Sequence, residues 1–203
     1  YMLDRFQEFL VSVSWSSMKS MRERFKKPDM AGGIVPAWRS AKILYDPNEI
    51  ASGLKQKSQA WSWELLGKRT DKWVAEELTG WSEEVHRLVG SLGLGHNGVA
   101  AVQRSLLAVN MAKILAVHHR ILYDSENCLW DLVSEKMGSR WAELQRVALG
   151  EGRETFEDTC RASLRLFVKT ADEVKQLLDE RQCRVVAHAC KLAEKSLTQP
   201  LPS

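Results

Sequence analysis

The sequence predicts an all-α protein, an elongated antiparallel helical bundle of three long helices preceded by an amphipathic N-terminal helix. Apolar residues recur at spacings of three and four along most of the chain, as in helices that bury one face. The 203 residues include only 12 glycines and 5 prolines, whereas a β-sandwich or β-barrel needs many turns. We find no strand pattern longer than four residues.

The N-terminal segment, residues 1–45, is expected to contain the amphipathic helix and a linker. Across residues 2–27, apolar side chains recur at helical spacing, namely Leu3, Phe6, Leu10, Val13, Met21 and Phe25. The following run KPDMAGGIVP should end this helix, because proline lacks an amide donor and glycine frees the backbone. A short helix over residues 37–45 is expected to follow.

Residues 46–197 are expected to form the bundle of three long helices. Asp46-Pro47-Asn48-Glu49 has the pattern of a helix start, with Asp as the cap, Pro next and Glu three residues after the cap. The glycine-containing runs at 91–98 and 150–152 are the expected turns between helices. Each helix would then span about 45–50 residues and about 70 Å. The tail, residues 198–203, is expected to fray.

Apolar stripes on all three long helices define the predicted core, and the stripe of the middle helix includes Leu107, Met111, Ile114, Val117 and Ile121. The stripe of the first long helix consists of Val74, Leu78, Trp81, Val85, Leu88 and Leu92. The stripe of the last helix follows the same spacing and consists of Cys160, Leu164, Phe167, Ala171, Val174, Leu178, Arg181, Val185, His188 and Leu192. The middle helix is expected to bend near 123–127 or at Gly138.

Two positions in the last stripe are polar, and two tryptophans cannot share one helical face. Arg181 and His188 interrupt the apolar stripe, and polar groups at such positions fix helix register or pair with a partner chain; solvent exposure at the end of the bundle is the alternative. Trp61 and Trp63 would point about 200° apart on a helix. Most of the eight tryptophans are expected in the core, but these two are candidate partner contacts.

The basic charge is concentrated near the N-terminus. Residues 1–45 carry eight basic and four acidic side chains, although the whole chain has a net charge of only +3. The basic patch consists of Lys19, Arg22, Arg24, Lys26 and Lys27. These cations suit the C-terminal end of a helix, or they bind an anionic membrane or an acidic partner. Nucleic acid is not an expected partner, because the total charge lacks a strong basic excess.

The motifs that suggest a nucleotide or a nucleophile are rejected on context. Residues 93–98 match the GxGxxG fingerprint, but no β-strand pattern precedes them, so we interpret them as a turn between helices. The chain contains neither a Gly-x-Ser-x-Gly nucleophile motif nor a phosphate-binding Gly-Lys-Ser/Thr loop.

The metal-like spacings are rejected for geometric reasons. Glu83-x-x-His86 lacks the second such pair that a di-metal bundle site needs. Adjacent His118 and His119 would project about 100° apart on a helix, so they are not expected to hold one ion. Cys183, His188 and Cys190 likewise do not share a helical face. We therefore expect no catalytic, cofactor-binding or metal site.

These patterns favour a non-enzymatic helical scaffold or oligomerisation module that mediates protein–protein interaction within a larger intracellular protein. Its partner would be another protein or a second copy. The alternative is a peripheral membrane-binding module that uses the basic N-terminal helix. No secretory signal pattern is found, and no run approaches the roughly 20 apolar residues of a membrane-spanning helix. Four cysteines without a CxxC pair suggest buried free thiols and a cytoplasmic location.

Overall fold

The computed structural model describes residues 1–198 and is 73% helical, which confirms the all-α class. A short hairpin, β1 (Met2–Phe6) and β2 (Phe9–Val13), precedes the helices. The helices are α1 (Met18–Arg24), α2 (Pro28–Ser40), α3 (Ile50–Gln59), α4 (Lys68–Gly93), α5 (Asn97–His118), α6 (Glu126–Met137), α7 (Ser139–Leu149), α8 (Phe156–Val174) and α9 (Glu180–Thr198). Apart from Thr198, the predicted tail lies outside the described residues.

The predicted N-terminal helix over residues 2–27 is wrong. The strands pair antiparallel, with Met2 opposite Val13 and Phe6 opposite Phe9, and the two-residue turn places Gln7 at a φ of 54°. The helical part is confined to α1. Pro28 does not end a helix but begins α2, because proline suits the first position, where no intrahelical amide bond is needed.

The three predicted long helices are broken into shorter ones. The longest, α4, has 26 residues and is about 39 Å long. Asp46 is not the cap residue, because the helix begins at Ile50 and Glu49 takes the cap position; Asp46 nevertheless accepts the Ser52 backbone N–H of the first turn at 2.7 Å. Gly67, with a φ of 51°, precedes α4 and separates it from α3. The chain turns at 119–125 and at Gly138, close to the positions where a bend was expected.

The core lies within a ring of four helices. Helix α4 packs against α5, α5 against α8, α8 against α9, and α9 back against α4. The stripe of α4 is confirmed as core, since its aliphatic members are all buried. Helices α6 and α7 pack against α5 and α8, while α2 contacts α3 and α5 on the other side. The result is a four-helix core with attached short helices instead of a three-helix rod.

The apolar stripe predicted for α9 is shifted by one residue. The buried positions are Gln182, Val186, Ala189, Ala193 and Ser196, in place of Arg181, Val185, His188 and Leu192. A 3-10 turn at Lys175–Leu177 separates α8 from α9. Asp179 and Gln182 then exchange side-chain to backbone hydrogen bonds of 2.8 and 2.9 Å, which start the new helix in this register.

Helix α5 is the most apolar helix of the core. By length and composition alone it could cross a membrane, with a mean hydropathy of 1.3 over its best window. Half of that window is buried inside the protein, and a core helix has the same properties. Helix α5 contacts α2, α4, α6, α7 and α8, which places it at the centre of the core.

Glycines in α2 allow close contact with the loop that follows α5. A Cβ atom at Gly32 would lie 2.8 Å from the Tyr123 ring and 3.2 Å from the Ile121 carbonyl oxygen. We therefore expect Gly32→Ala to lower the free energy of unfolding by about 1–3 kcal/mol, measured by urea denaturation. Gly53→Ala in α3 is the control, because its Cβ would meet nothing within 4 Å. The control should gain about 0.5–1 kcal/mol; equal losses in both variants would contradict the close packing.

Candidate functional site

The N-terminal hairpin presents an apolar face. Side chains of paired residues in an antiparallel sheet share a face. The pairs on one face join Met2 to Val13, Asp4 to Val11 and Phe6 to Phe9, so five of these six side chains are apolar. The opposite face mixes Leu3 and Leu10 with polar residues.

This apolar face is not covered by the helical body. Phe6 is 67% exposed and Phe9 is 63% exposed, and only Val13 of the strand residues is half-buried. In the described part of the chain, the extensive contacts of the hairpin are between its own strands. Trp15, in the linker to α1, is also 67% exposed. Exposed apolar patches are common at interaction sites.

The predicted basic patch follows the hairpin directly. Ser17 caps α1 by accepting the Ser20 backbone N–H at 3.1 Å, which places the patch on α1 and on the turn after it. Four of the five cations are exposed and Arg24 is half-buried. Lys26 binds Glu23 at 2.7 Å and thereby holds the pKa of that exposed carboxyl below its usual value. The patch is therefore short and does not lie on one long amphipathic helix.

Trp61 and Trp63 do not lie on the surface, where partner anchors would have to be. Their exposed fractions are 3% and 8%. The Trp61 indole Nε1 donates to the Phe25 carbonyl at 3.0 Å, and the two indole rings meet edge to face at 5.2 Å. The chain is not helical at 60–62, so the helical angle used to separate these side chains does not apply. Both tryptophans pack in the core.

Arg181 and His188 both lie on the exposed face of α9. They do not interrupt an apolar stripe, because the buried stripe lies one residue further along the chain. The His188 ring stacks on His86 of α4, with centroids 5.1 Å apart and planes 14° apart. Their role as partner contacts stays a prediction.

His118 and His119 come together with Glu173 of α8, contrary to the expectation that adjacent histidines diverge. Helix α5 ends at His118, so the helical angle between the two side chains no longer applies. One ligand atom from each of the three residues lies within 4.8 Å of the others. His119 Nε2 lies 3.3 Å from Glu173 Oε1 but without hydrogen-bond geometry. Burial lowers the pKa of both imidazoles.

Among the described residues, His118, His119 and Glu173 form the group of three side chains whose ligand atoms lie close enough together to share a metal ion. Imidazole and carboxylate suit Zn²⁺, whose ligands lie about 2.0–2.2 Å from the ion. The ligand atoms of His118, His119 and Glu173 lie within 4.8 Å of one another, because packing brings α8 against the end of α5.

The cysteines are free thiols in different environments. Cys160 is buried, and burial raises the pKa of its thiol to about 11. Cys190 is half-buried, with its pKa also raised to about 11 by burial. Cys183 is exposed, which differs from the expectation that all four are buried.

The hairpin is the feature that sequence reasoning missed. Its turn, Gln7-Glu8, carries none of the glycine, asparagine or aspartate residues typical of two-residue turns. The pattern that could have revealed it is the alternation of β2, where Phe9, Val11 and Val13 fall on one face. Comparison of the chain with protein-family models, with curated proteins and with solved structures finds no match.

Proposed function

We propose that this chain is a non-enzymatic protein-interaction module and that its N-terminal hairpin docks on another protein. The observation that carries this proposal is the uncovered apolar face of the hairpin, which includes Phe6 and Phe9. An isolated two-stranded hairpin is at best marginally stable in water. Burial of that face by a partner would supply the missing stabilisation.

The occupant we propose is a protein strand or sheet edge. Each outer edge of a two-stranded sheet carries unpaired N–H and C=O groups. A strand of a partner can satisfy these groups by adding to the edge, while the rest of the partner covers the apolar face. Insertion into lipid would leave them without hydrogen bonds, and open sheet edges do not occur in the hydrocarbon of a bilayer. This argues against the membrane-binding alternative.

The charge next to the hairpin indicates an acidic partner. Exposed Lys19 and Arg22 lie on α1, which begins five residues after β2 ends. Acidic groups on a partner would complement these cations and steer association. A symmetric pairing of two hairpins would bring two such basic segments toward each other, so another protein is favoured over a second copy.

Site-specific photo-cross-linking in cells tests the proposal. A photoreactive phenylalanine analogue is placed at Phe9 on the hairpin and, as the control, at exposed Val185 on α9. We expect a discrete protein adduct at Phe9 and none at Val185. The double variant Lys19→Glu, Arg22→Glu should reduce the adduct severalfold. The purified adduct partner should also protect the backbone amides of 2–13 from hydrogen exchange.

Three outcomes would overturn this proposal. The first is equal capture at both positions, and the second is a captured protein that leaves the hairpin amides unprotected. The third is flotation of the chain with phosphatidylserine vesicles that is lost in a Phe6→Ser, Phe9→Ser variant, which would establish the membrane alternative. A concentration-dependent dimer lost in the same variant would replace the acidic partner by a second copy.

We also propose that the chain acts in the cytoplasm as a scaffold within a larger protein and has no enzymatic activity. The four free cysteines are compatible with a reducing compartment.

A further inference from the structure

A cleft of about 370 Å³ lies between α2, α4, α5, α6 and the loop that joins α5 to α6. Four aromatic side chains contribute to its wall, namely Trp63, Trp73, Trp81 and Tyr123. The volume falls within the range of small-molecule sites, which usually combine apolar walls with a few polar groups. The cleft is separate from the hairpin, so an inference from it does not rest on the proposed function.

The charged groups in the wall are mainly acidic. Asp29 of α2, Glu77 of α4 and Glu126 of α6 line the cleft, whereas Lys113 is the basic residue among its lining side chains. The phenol of Tyr123 shows the effect of this charge, because burial and the nearby Glu126 and Asp29 raise its pKa. The cleft therefore has a surplus of negative charge next to aromatic surface.

Contacts among the lining residues hold the aromatic walls of the cleft in place. The Trp81 indole Nε1 donates to Glu77 Oε2 at 3.3 Å, which ties an aromatic ring to a carboxylate on the same helix. Tyr123 lies against Gly32 and Gly33, and its backbone N–H donates to the Gly32 carbonyl at 3.0 Å. The walls thus keep their positions without a ligand, which reduces the ordering cost of binding.

The indole N–H of Trp63 has an unmet hydrogen-bond requirement. This side chain is 92% buried, from its exposed fraction of 8%, and its Nε1 has no hydrogen-bond partner in the described part of the chain. A buried donor without an acceptor is costly. The Arg120 guanidinium lies 5.9 Å from the centre of the Trp63 ring and makes a cation–π contact with it. This contact does not give the indole N–H a hydrogen-bond acceptor. The nitrogen itself has almost no accessible surface, so Trp63 offers the cleft part of its ring and not its N–H.

We propose that this cleft binds a small organic cation, an alkylated ammonium. Aromatic faces attract an ammonium group through the negative potential of the ring. The carboxylates of Asp29, Glu77 and Glu126, which line the cleft, compensate its charge.

Choline is the probe, since it is a small quaternary ammonium ion. Its neutral isostere 3,3-dimethyl-1-butanol has the same shape without the charge and isolates the contribution of the cation. Calorimetric titration of the full chain should show saturable binding of choline at one site. The isostere should bind at least tenfold more weakly, which corresponds to about 1.4 kcal/mol.

Two neighbouring carboxylates give a matched pair of variants. Glu77 lines the cleft and is half-buried, whereas Glu76 is exposed and lies near Lys72 at 3.6 Å. We expect Glu77→Gln to weaken choline binding about tenfold and Glu76→Gln to leave it unchanged. Circular dichroism of both variants separates a loss of affinity from a loss of folding.

Three results would overturn the proposal. The first is the absence of saturable binding of both choline and tetramethylammonium at millimolar concentrations by the folded chain. The second is equal affinity for choline and its neutral isostere, which would make the cleft an apolar site without charge selectivity. Equal weakening by Glu76→Gln and Glu77→Gln would place the bound cation on the surface of α4 and not in the cleft.

Discussion

Val186→Asp should lower the free energy of unfolding by about 4 kcal/mol, the cost of a buried carboxylate without a partner. Val186 is 3% exposed and lies in the buried stripe of α9. No other buried residue of this stripe carries a positive charge that could pair with the new carboxylate. These residues are Gln182, Ala189, Ala193 and Ser196. Urea denaturation measures the loss, and an unchanged slope with urea concentration would show that the transition stays two-state.

The neighbouring substitution Val185→Asp is the matched control. Val185 is 41% exposed, so a carboxylate there stays hydrated and should change stability by no more than about 0.5 kcal/mol. The two variants distinguish the register of the structure from the register predicted by the unbroken heptad stripe. If Val185→Asp were the costly substitution, α9 would pack one residue earlier, with His188 toward the core.

Trp61→Ala should destabilise the protein by about 3–5 kcal/mol, as expected for removal of a fully packed tryptophan. The substitution leaves a cavity beside Trp63 and removes the hydrogen bond to the Phe25 carbonyl, which lies 36 residues earlier in the chain. It also removes the link between the segment after α3 and the end of α1. Thermal and urea unfolding of the purified variant would measure the effect.

Trp15→Ala is the control for this second prediction. With Trp15 67% exposed, its loss should change stability by about 0.5 kcal/mol or less. It should instead reduce capture of a partner at the hairpin, since Trp15 lies between the hairpin and α1. A Trp61→Ala variant with full stability but lost partner binding would restore Trp61 as a partner anchor and contradict its place in the core.

The helical fold class and the main turns can be predicted from the spacing of apolar residues and glycines along the chain. The stripe of α4 depends only on spacing within one helix, and its aliphatic members are buried as expected. The turns at 91–98 and 150–152 are also confirmed, because glycine at a helix end acts through its own backbone. Such features need no knowledge of which helix packs against which.

Prediction from the residue pattern fails where two different structures fit the same spacing of apolar residues. Leu3, Phe6, Leu10 and Val13 recur at three and four residues, which fits a helix, yet the segment forms a hairpin with an atypical turn. In α9, the 4-3 spacing continues through the chain but the 3-10 turn before it rotates the helix by one position. A periodic pattern indicates that one face of a segment is apolar, but it does not show where a short break interrupts the helix.

The sequence by itself therefore determined the helical class, the turns at glycine and the buried face of α4. The tertiary structure decided the breaks within the predicted long helices, the register of α9 and the burial of Trp61 and Trp63. It also decided which groups meet: Asp29, Glu77 and Glu126 come from three helices, and Glu173 reaches His119 from α8. Secondary structure arises from interactions between near neighbours in the chain, whereas a cleft requires distant residues to be brought together by packing.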